Sequence, residues 1–507
     1  MEKVACSMFS ERRLRTKQIQ TIDKLPDKVI LKIFSYLPHK DYGCLSRVCK
    51  KWRRISSDSR LWTNVSLRPH VSGLHVTNYE SLLALISIRF GPSLKSIELP
   101  IELITNNVLH ELATKCSNLT TMLLDFSTAM QLHDFSRLHK FPSKLRSLCI
   151  CLSDVIFMDG FMRKIYSFLT SLEVLHLIGT YEHVEEEDEE GYDVINIHKL
   201  KQAVPHLRVV NLYGITFLDD SHVESLSSMC VLLECLALNF CSKFTGSVFD
   251  VLFSRCTKLK SLLLQQTGLK DEHVMLVEWN QTHIQELDIT GTDLSSECLI
   301  ILLTRIPALR YLSAGQQDGF TDEVLCTWLD KGNCKSIIAL DLDGNESLTG
   351  EILKLFIQRH GVCLRGLVLS GISSLNDQFW LSVLRFLPKL RILSMGTPLG
   401  CCKKIQQKIH TDTLLYSLAN NCPLLERLEI GWDDLNLMYS DRSSKAVDAL
   451  RVRCLRLRCL TLSDNDYCEL VKANYERAER PSVVRTTTSY RVNLVYLLMY
   501  YSDLMFN

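Results

Sequence analysis

The sequence lacks the features that mark secreted, membrane-spanning and strongly charged proteins. Its 20 cysteines among 507 residues are far fewer than a disulfide-stabilised scaffold needs. No run of 18 apolar residues predicts a membrane span, and the first residues do not read as a secretory signal sequence. The net charge of +1 gives no general attraction to nucleic acids or membranes. We therefore expect reduced cysteines, a cytoplasmic or nuclear location, and no nucleic-acid or membrane partner.

The motifs of common catalytic sites are also missing. The sequence contains no phosphate-binding G-x-x-x-x-G-K-[ST], no dinucleotide-binding G-x-G-x-x-G, no zinc-binding H-E-x-x-H and no G-x-S-x-G nucleophile motif. The adjacent Cys401 and Cys402 have only His410 nearby, which is too few ligands for a metal site. We therefore predict a protein that is not an enzyme and has no catalytic residues, no cofactor and no metal.

Residues 22–67 have the signals of a small helical unit. Pro26 favours a helix start, because its missing N–H would have no partner there, and Pro38 ends the same helix. Residues 1–54 contain 14 basic and 5 acidic side chains, which suits either a solvated surface or an acidic protein partner. So small a unit cannot bury all its apolar side chains alone, and we expect some of them to face a partner. The apolar residues at helical spacing are Val29, Ile30, Ile33, Phe34 and Leu37.

The same segment resembles an F-box. The resemblance rests on residue pairs at fixed spacing, and it implies that the unit binds the Skp adaptor of a ubiquitin ligase. The pairs are Leu25-Pro26, Ile33-Phe34, Leu37-Pro38, Val48-Cys49, Trp52-Arg53 and Leu61-Trp62. The residues expected to contact the adaptor are Leu25, Pro26, Ile30, Leu31, Ile33, Phe34, Leu37 and Trp52.

A Leu-x-x-Leu-x-Leu pattern repeats from residue 94 towards the end of the chain. Ten of the thirteen steps between its copies are 25–28 residues long, which is the period of leucine-rich repeats. The fourth and sixth positions point to the same side of a strand, and one unit cannot bury them alone, so successive units must stack. The fourteen copies begin at Leu94, Leu119, Leu145, Leu172, Leu207, Leu233, Leu259, Ile284, Leu309, Ile337, Leu364, Leu390, Leu425 and Leu457.

Cysteine recurs three residues before the first leucine of many copies. We interpret it as a small buried apolar residue that closes the helix of one repeat against the next strand. The cysteines at this position are Cys116, Cys230, Cys256, Cys334, Cys422 and Cys454.

These patterns predict an α/β solenoid with a curved parallel sheet inside and helices outside, preceded by the helical F-box. We divide the chain into a flexible tail (residues 1–21), the F-box (22–67), a junction packed on the first repeat (68–93), and a solenoid of about 14 repeats with a C-terminal cap (94–507). Eight acidic residues crowd the long step at 181–193. We interpret that run as a disordered, solvated loop or as a contact for a basic partner.

An F-box followed by leucine-rich repeats resembles the substrate-receptor subunits of Skp–cullin–F-box ubiquitin ligases. The resemblance implies that the F-box binds the Skp adaptor and, through it, cullin, while the repeats bind an unknown protein that is to be ubiquitinated. Two alternatives stay open. One is a scaffold that binds the adaptor without promoting ubiquitin transfer, and the other is a repeat-domain binding protein whose F-box-like unit is only a cap.

The third and fifth positions of each strand motif should face away from the leucine core and line the concave surface. Most of these residues are small from the fifth repeat onward, which would leave room for a partner. Glu286, Asp288 and Asp341 should surround Tyr311 on neighbouring strands. We predict that these four residues bind a basic or polar segment of the target, because an aromatic anchor beside fixed charge suits a binding hot spot. The alternative is that they are ordinary solvated strand residues.

Overall fold

One parallel sheet of sixteen strands runs through the part of the chain that this computed structural model describes. The strands follow one another in sequence order, and two further strands of two residues each pair only with each other. Parallel neighbours of this kind need a return segment after each strand. A helix lies in every such segment of the sheet except residues 126–146, which return without one. The described residues are 22–68, 74–76, 78–153, 156–179, 195–332, 334–396, 407–432, 435–476 and 483–486.

The strands are short, mostly three to five residues, as expected where one leucine pair per repeat must reach the core. They are β1 (Asn64–Ser66), β2 (Ser96–Pro100), β3 (Thr121–Asp125), β4 (Ser147–Cys151), β5 (Val174–Ile178), β6 (Val209–Asn211), β7 (Cys235–Ala237), β8 (Ser261–Leu263), β9 (Glu286–Asp288), β10 (Tyr311–Ser313), β11 (Ala339–Asp341), β12 (Gly366–Val368), β13 (Ile392–Gly396), β14 (Ile409–His410), β15 (Arg427–Gly431), β16 (Leu437–Met438), β17 (Cys459–Leu462) and β18 (Val484–Thr486).

The helices of the described residues have six to eleven residues each, and several begin with a side-chain cap such as Thr105, Asn196 or Ser295. They are α1 (Asp27–Phe34), α2 (His39–Val48), α3 (Lys50–Ser56), α4 (Tyr79–Leu85), α5 (Asn106–Lys115), α6 (Asp159–Ile165), α7 (Ile197–Ala203), α8 (Asp220–Ser227), α9 (Phe249–Arg255), α10 (Asp271–Leu276), α11 (Ser296–Arg305), α12 (Asp322–Lys331), α13 (Gly350–His360), α14 (Asp377–Val383), α15 (Thr411–Asn421), α16 (Ser443–Arg453) and α17 (Asp466–Tyr475).

The repeated leucines form one continuous core between the sheet and the outer helices. In the repeat of β10, Leu309 and Leu312 are buried, and they meet Leu299 and Leu302 of the preceding helix α11 in the same cluster. That cluster extends from the F-box to β18, so each unit is completed by its neighbours. The predicted α/β solenoid behind a helical F-box is confirmed.

The recurring cysteines close one repeat against the next through their thiols. The sulfur of Cys256 donates to the backbone carbonyl of Cys230, and the sulfur of Cys230 donates to that of Val204, which holds the same place one repeat earlier. Cys454 and Cys422 repeat the arrangement. Burial raises the pKa of Cys256 to about 11 and that of Cys230 to about 12, so these groups are unreactive, packed thiols.

The F-box and the first repeats share one sheet and one core. β1 pairs with β2 in register from Asn64↔Ser96 to Ser66↔Glu98. The ring centroids of Trp62 and Phe90 lie 5.9 Å apart, and Phe90 is fully buried at the end of the helical segment that follows α4.

Several predicted segments lie wholly or largely outside the described residues. These are the N-terminal tail, all of the acidic run at 181–193 and most of the proposed C-terminal cap. On either side of the acidic run, β5 and β6 pair in register from Val174↔Val209 to His176↔Asn211. Within the described ranges, no helix is both long and apolar enough to cross a membrane.

Candidate functional site

Helix α1 presents one apolar stripe to the inside of the F-box. It starts directly after Pro26, and Ile30 and Phe34, four residues apart, are 0% and 1% exposed. The Phe34 ring meets the edge of Trp52 at 5.2 Å between centroids. Because Ile30 and Phe34 are enclosed by their own chain, they support the surface from beneath. The expectation that they contact the adaptor directly is corrected accordingly.

A second set of apolar side chains on the F-box stays open to solvent. Val29 is 42% exposed, and Tyr36 in the following turn is 75% exposed. Val48, at the end of α2, is 60% exposed. The sequence prediction did not include these three residues in the adaptor surface. Val29 and Tyr36 are nevertheless about two helical turns apart, as are Ile30 and Leu37, so each pair has helical spacing. The other predicted adaptor residues, all partly or fully exposed, are Leu25, Pro26, Leu31, Ile33, Leu37 and Trp52.

Ion pairs and buried hydrogen bonds hold the three F-box helices in place. Asp27 at the start of α1 pairs with Arg54 and with Lys51, whose Nζ lies 3.6 Å away. Lys51 also donates to the Leu25 carbonyl at 2.8 Å. The Tyr42 hydroxyl donates to the Phe34 carbonyl at 3.2 Å. The apolar surface is therefore carried on a fixed frame.

The F-box surface is also positively charged. Six of its exposed basic residues form no ion pair with an acid in the described chain, unlike the exposed Arg54 and Arg60. This distribution suits an acidic partner surface, whose attraction would act mainly on the rate of association. The residues are Lys28, Lys32, Lys40, Arg47, Lys50 and Arg53.

Alternate strand residues lie on the face opposite the leucine core. They form small apolar clusters that are separate from the main core. Strand register brings the predicted target-binding residues together. Glu286 lies beside Tyr311, and Ser313 has Asp288 on one side and Asp341 on the other. The apolar clusters contain Val174, Val209, Cys235, Ala237 and Leu263 in one, and Ala339, Val368 and Ile392 with Tyr311 in the other.

The three carboxylates near Tyr311 are buried, which corrects the expectation of an open acidic cluster. Glu286, Asp288 and Asp341 are 3%, 0% and 2% exposed. Asp288 and Asp341 each accept a hydrogen bond at 3.0 Å from the backbone N–H two residues later, so part of their acceptor capacity is used within the turn. The Ser261 hydroxyl donates to Glu286, and burial raises the pKa of Glu286 to about 8. Glu286 is therefore largely neutral at pH 7.

Tyr311 and the carboxylates of Glu286, Asp288 and Asp341 form what we call the Tyr311 strip. Within it, the side chain of Tyr311 is only partly buried. The guanidinium carbon of Arg310 lies 5.8 Å from the centroid of its ring, within the range of a cation–π contact. Among the described residues, no three His, Cys, Asp or Glu side chains are placed to hold a metal ion.

The fold and these surfaces define a class of protein, a leucine-rich-repeat solenoid that carries an F-box. Residues 22–68 match the F-box-like family. F-box/LRR-repeat protein 12 of Homo sapiens is 36% identical over 133 residues, which are 25% of this chain and 39% of that protein. The Bos taurus protein of the same name is 30% identical over 234 residues, 41% of this chain and 68% of its own length. This chain belongs to the F-box/LRR-repeat protein family.

The match to the human relative, like that to the Mus musculus protein of the same name, spans 39% of the relative's length. A solved structure, described as that of Rad7 and Elc1 complex in yeast, is similar over 91% of this chain and 92% of the matched chain, with a TM-score of 0.43 and 14% sequence identity.

Proposed function

We propose that this chain is the substrate-recognition subunit of a Skp–cullin–F-box ubiquitin ligase, in which the F-box binds the Skp adaptor and the repeats bind the protein to be ubiquitinated. The observation that carries the proposal is the exposed apolar surface beside the buried face of helix α1. Ile30 and Phe34 fill the F-box core, while Val29 and the nearby Tyr36 remain exposed on a rigid frame. An apolar surface of this kind suits a protein partner.

In this proposal the chain does no covalent chemistry. It contributes proximity, because a target held by the repeats and a ubiquitin-charged enzyme held through the adaptor meet within one complex. The shared core between F-box and repeats would keep the distance between the two binding sites nearly constant.

Adaptor binding is tested with the paired substitution Leu25→Ala and Pro26→Ala and, separately, with Tyr36→Ala, in the full chain. Each variant should lose co-purification with recombinant Skp adaptor, because loss of a central interface anchor commonly costs above roughly 2 kcal/mol. Leu276→Ala is the matched control, since Leu276 is equally apolar and 73% exposed on a repeat helix.

The thermal unfolding midpoint of each variant separates lost contact from lost fold. Phe34→Ala should lower it, since Phe34 is a core residue, while Tyr36→Ala should not. Undiminished adaptor capture by Leu25→Ala with Pro26→Ala would overturn the proposed surface. Recovery of adaptor without cullin would favour the scaffold alternative, and recovery of neither would favour the cap.

The proposed target contact is the strip around Tyr311, with Glu286, Asp288 and Asp341 beneath and beside it. Its support is the partly exposed aromatic ring of Tyr311 next to Arg310, since Tyr and Arg are enriched among residues that dominate binding. Partners captured by wild type should be lost on Tyr311→Ala and weakened on Asp288→Ala, with adaptor binding intact. Tyr416→Ala, on the outer helix α15, is the control. If every partner survives both changes, the target binds elsewhere, for example on the loops after Met395 or Ile430.

A further inference from the structure

One row of side chains crosses the sheet at the amino ends of its strands. In each repeat this amino-end row takes the residue directly before the strand. The backbone N–H of each member donates to the carbonyl of the member before it at 2.7–2.9 Å, so neighbouring members lie side by side, about 4.8 Å apart. From β4 to β17 the members are Arg146, Glu173, Arg208, Glu234, Lys260, Gln285, Arg310, Ile338, Arg365, Arg391, Glu426 and Arg458.

The first five members of the row neutralise one another. Arg146 Nε lies 3.7 Å from Glu173 Oε1, and Arg208 Nη1 lies 3.8 Å from Glu173 Oε2. Arg208 Nε also donates to Glu234 at 2.5 Å, and Lys260 Nζ lies 3.7 Å from the other oxygen of Glu234. Because each cation has an acid beside it, this part of the row presents little uncompensated charge to a partner.

The last six members differ, because four are arginines and only one is a glutamate, which gives +4 and −1, a net charge of +3. Arg391 and Glu426 pair through two hydrogen bonds of 2.9 Å. Arg310 and Arg365 form no ion pair with an acid in the described ranges, and neither has an acid beside it in the row. Arg365 is exposed, and Arg310 is half-buried with its guanidinium carbon 5.8 Å from the centroid of the Tyr311 ring.

The carboxylates of the same strands do not cancel this charge. Asp288 and Asp341 come three residues after the row positions of β9 and β11, about 10 Å further along their strands, and both are buried. Glu286 directly follows its row position, but it is buried, and a pKa raised to about 8 keeps it largely protonated at pH 7. The accessible charge next to Tyr311 is therefore positive.

We propose that Arg310, Arg365 and the ring of Tyr311 bind an extended segment of the target protein that carries several Asp or Glu side chains. This inference rests on the proposed function and names the chemistry of the segment that the repeats would hold. It departs from the basic or polar segment expected from the sequence, because the acids of the Tyr311 strip are buried. Each guanidinium can donate two parallel hydrogen bonds to a carboxylate.

The spacing of the two arginines suits a run of carboxylates better than one phosphate group. Arg310 and Arg365 belong to β10 and β12, two strands apart, so they are about 10 Å apart along the row. Side chains two or three residues apart in an extended segment are about 7 or 10 Å apart. A segment that runs along the row can therefore offer one acid to each guanidinium.

A protein segment also fits this row better than a nucleic acid. Affinity for nucleic acids grows with the number of phosphates that a protein neutralises. Arg310 and Arg365 alone would contact few phosphates, the first half of the row is paired internally, and the whole chain carries a net charge of only +1. For a peptide, by contrast, Tyr and Arg side chains are the types that most often dominate binding.

Fluorescence anisotropy of the full chain with labelled peptides tests the inference. The probe is a peptide in which glutamate alternates with serine, and two matched peptides carry glutamine or lysine in place of glutamate. Wild type should bind the glutamate peptide several-fold more tightly than the other two, and this preference should shrink as ionic strength rises. Equal binding of the three peptides would overturn the inference, as would tighter binding of a peptide with one phosphoserine or of a single-stranded oligonucleotide.

Variants locate the site, since the basic surface of the F-box could also attract the probe. Arg310→Gln with Arg365→Gln should weaken binding of the glutamate peptide at least several-fold. Arg365→Gln alone should give part of that loss with an unchanged thermal unfolding midpoint, which separates lost contact from lost fold. Arg146→Gln is the matched control, because Arg146 holds the same row position, its side chain is 71% exposed, and it already pairs with Glu173. Unchanged binding by the double variant, or an equal loss in Arg146→Gln, would contradict the assignment.

Capture of recombinant Skp adaptor by the same samples separates this inference from the proposed function. If wild type captures the adaptor but does not prefer the glutamate peptide, the inference is overturned and the proposed function stands. If wild type prefers the glutamate peptide, the double variant loses that preference and no adaptor is captured, the inference is supported and the proposed function is overturned.

Discussion

Glu286 shows how burial changes the chemistry of one residue on the concave face. A glutamate on an exposed strand would carry a fixed negative charge, but this one is 3% exposed. In the described chain one carboxylate oxygen accepts from Ser261 and the other has no hydrogen-bond partner. Desolvation therefore holds a proton on the group up to a pKa of about 8. A partner that brings a cation to this residue would have to displace that proton.

The raised pKa of Glu286 predicts that stability falls as pH rises. Below about pH 4.5 the carboxyl is protonated in both the folded and the unfolded chain, so its contribution to stability is complete. Between that pH and the folded pKa of about 8, the unfolded chain loses the proton first, which costs up to a few kcal/mol. Glu286→Gln should remove this loss in urea unfolding at pH 5 and pH 8.5. Exposed Glu351→Gln is the control, and parallel pH profiles for wild type and Glu286→Gln would contradict the prediction.

The sequence predicted that the F-box keeps apolar side chains at its surface, but it did not predict correctly which residues these are. Helical spacing placed Val29, Ile30, Ile33, Phe34 and Leu37 on one apolar face. In the structure only Ile30 and Phe34 of these are fully turned inward. Val29 is offset by a single residue and is exposed. Spacing alone cannot decide which of two adjacent stripes meets α3, because that choice depends on Trp52 and the tertiary packing around it. Burial of Asp288 and Asp341 was equally unpredictable, since it arises from neighbouring strands and turns.

At the level of elements, the repeat spacing was the strongest signal. Strands follow the predicted copies from Leu94 to Leu457, because each copy must place its leucines in a core that its neighbours complete. The two later long steps, from Leu390 to Leu425 and from Leu425 to Leu457, exceed the usual period. In the structure they each carry a two-residue strand, and Ile409↔Leu437 and His410↔Met438 pair. No periodic pattern marks so short a pairing.

The acidic run should be dispensable for folding because the flanking strands pair without it. β5 and β6 stay in register on either side of it, and loop length adds only slowly to the cost of closure. Deleting Glu182 to Asp193 should shift the thermal midpoint by no more than about 2 °C. Leu175→Ala, at a fully buried position of β5, should instead cost about 2–5 kcal/mol. A drop of many degrees in the deletion variant would show that the run packs against the repeats.

At the scale of the whole molecule, the F-box continues the solenoid and is not linked to it by a hinge alone. β1 joins the sheet through β2, and Trp62 contacts His39, Tyr42 and Phe90 with ring centroids 4.9–5.9 Å apart. Arg89 also donates to the Ser57 carbonyl at 3.3 Å. Motion of the F-box relative to the repeats must therefore break buried aromatic contacts and strand pairing together.

This coupling predicts where the chain opens when the junction is weakened. Phe90→Ala removes a fully buried ring at the junction and should cost about 3–5 kcal/mol. Because the F-box is small, it should lose protection before the repeats do. Amide hydrogen exchange should accelerate in α1–α3 and β1 and stay slow in β7–β12.

Phe141→Ala is the matched control, since Phe141 is 2% exposed and contacts Phe168 within the repeats. Its effect should fall on β3–β5. Uniform acceleration throughout the chain in both variants would mean that the F-box and the solenoid unfold as one cooperative unit, whereas unchanged exchange in the F-box of Phe90→Ala would show that the junction contact does not support it.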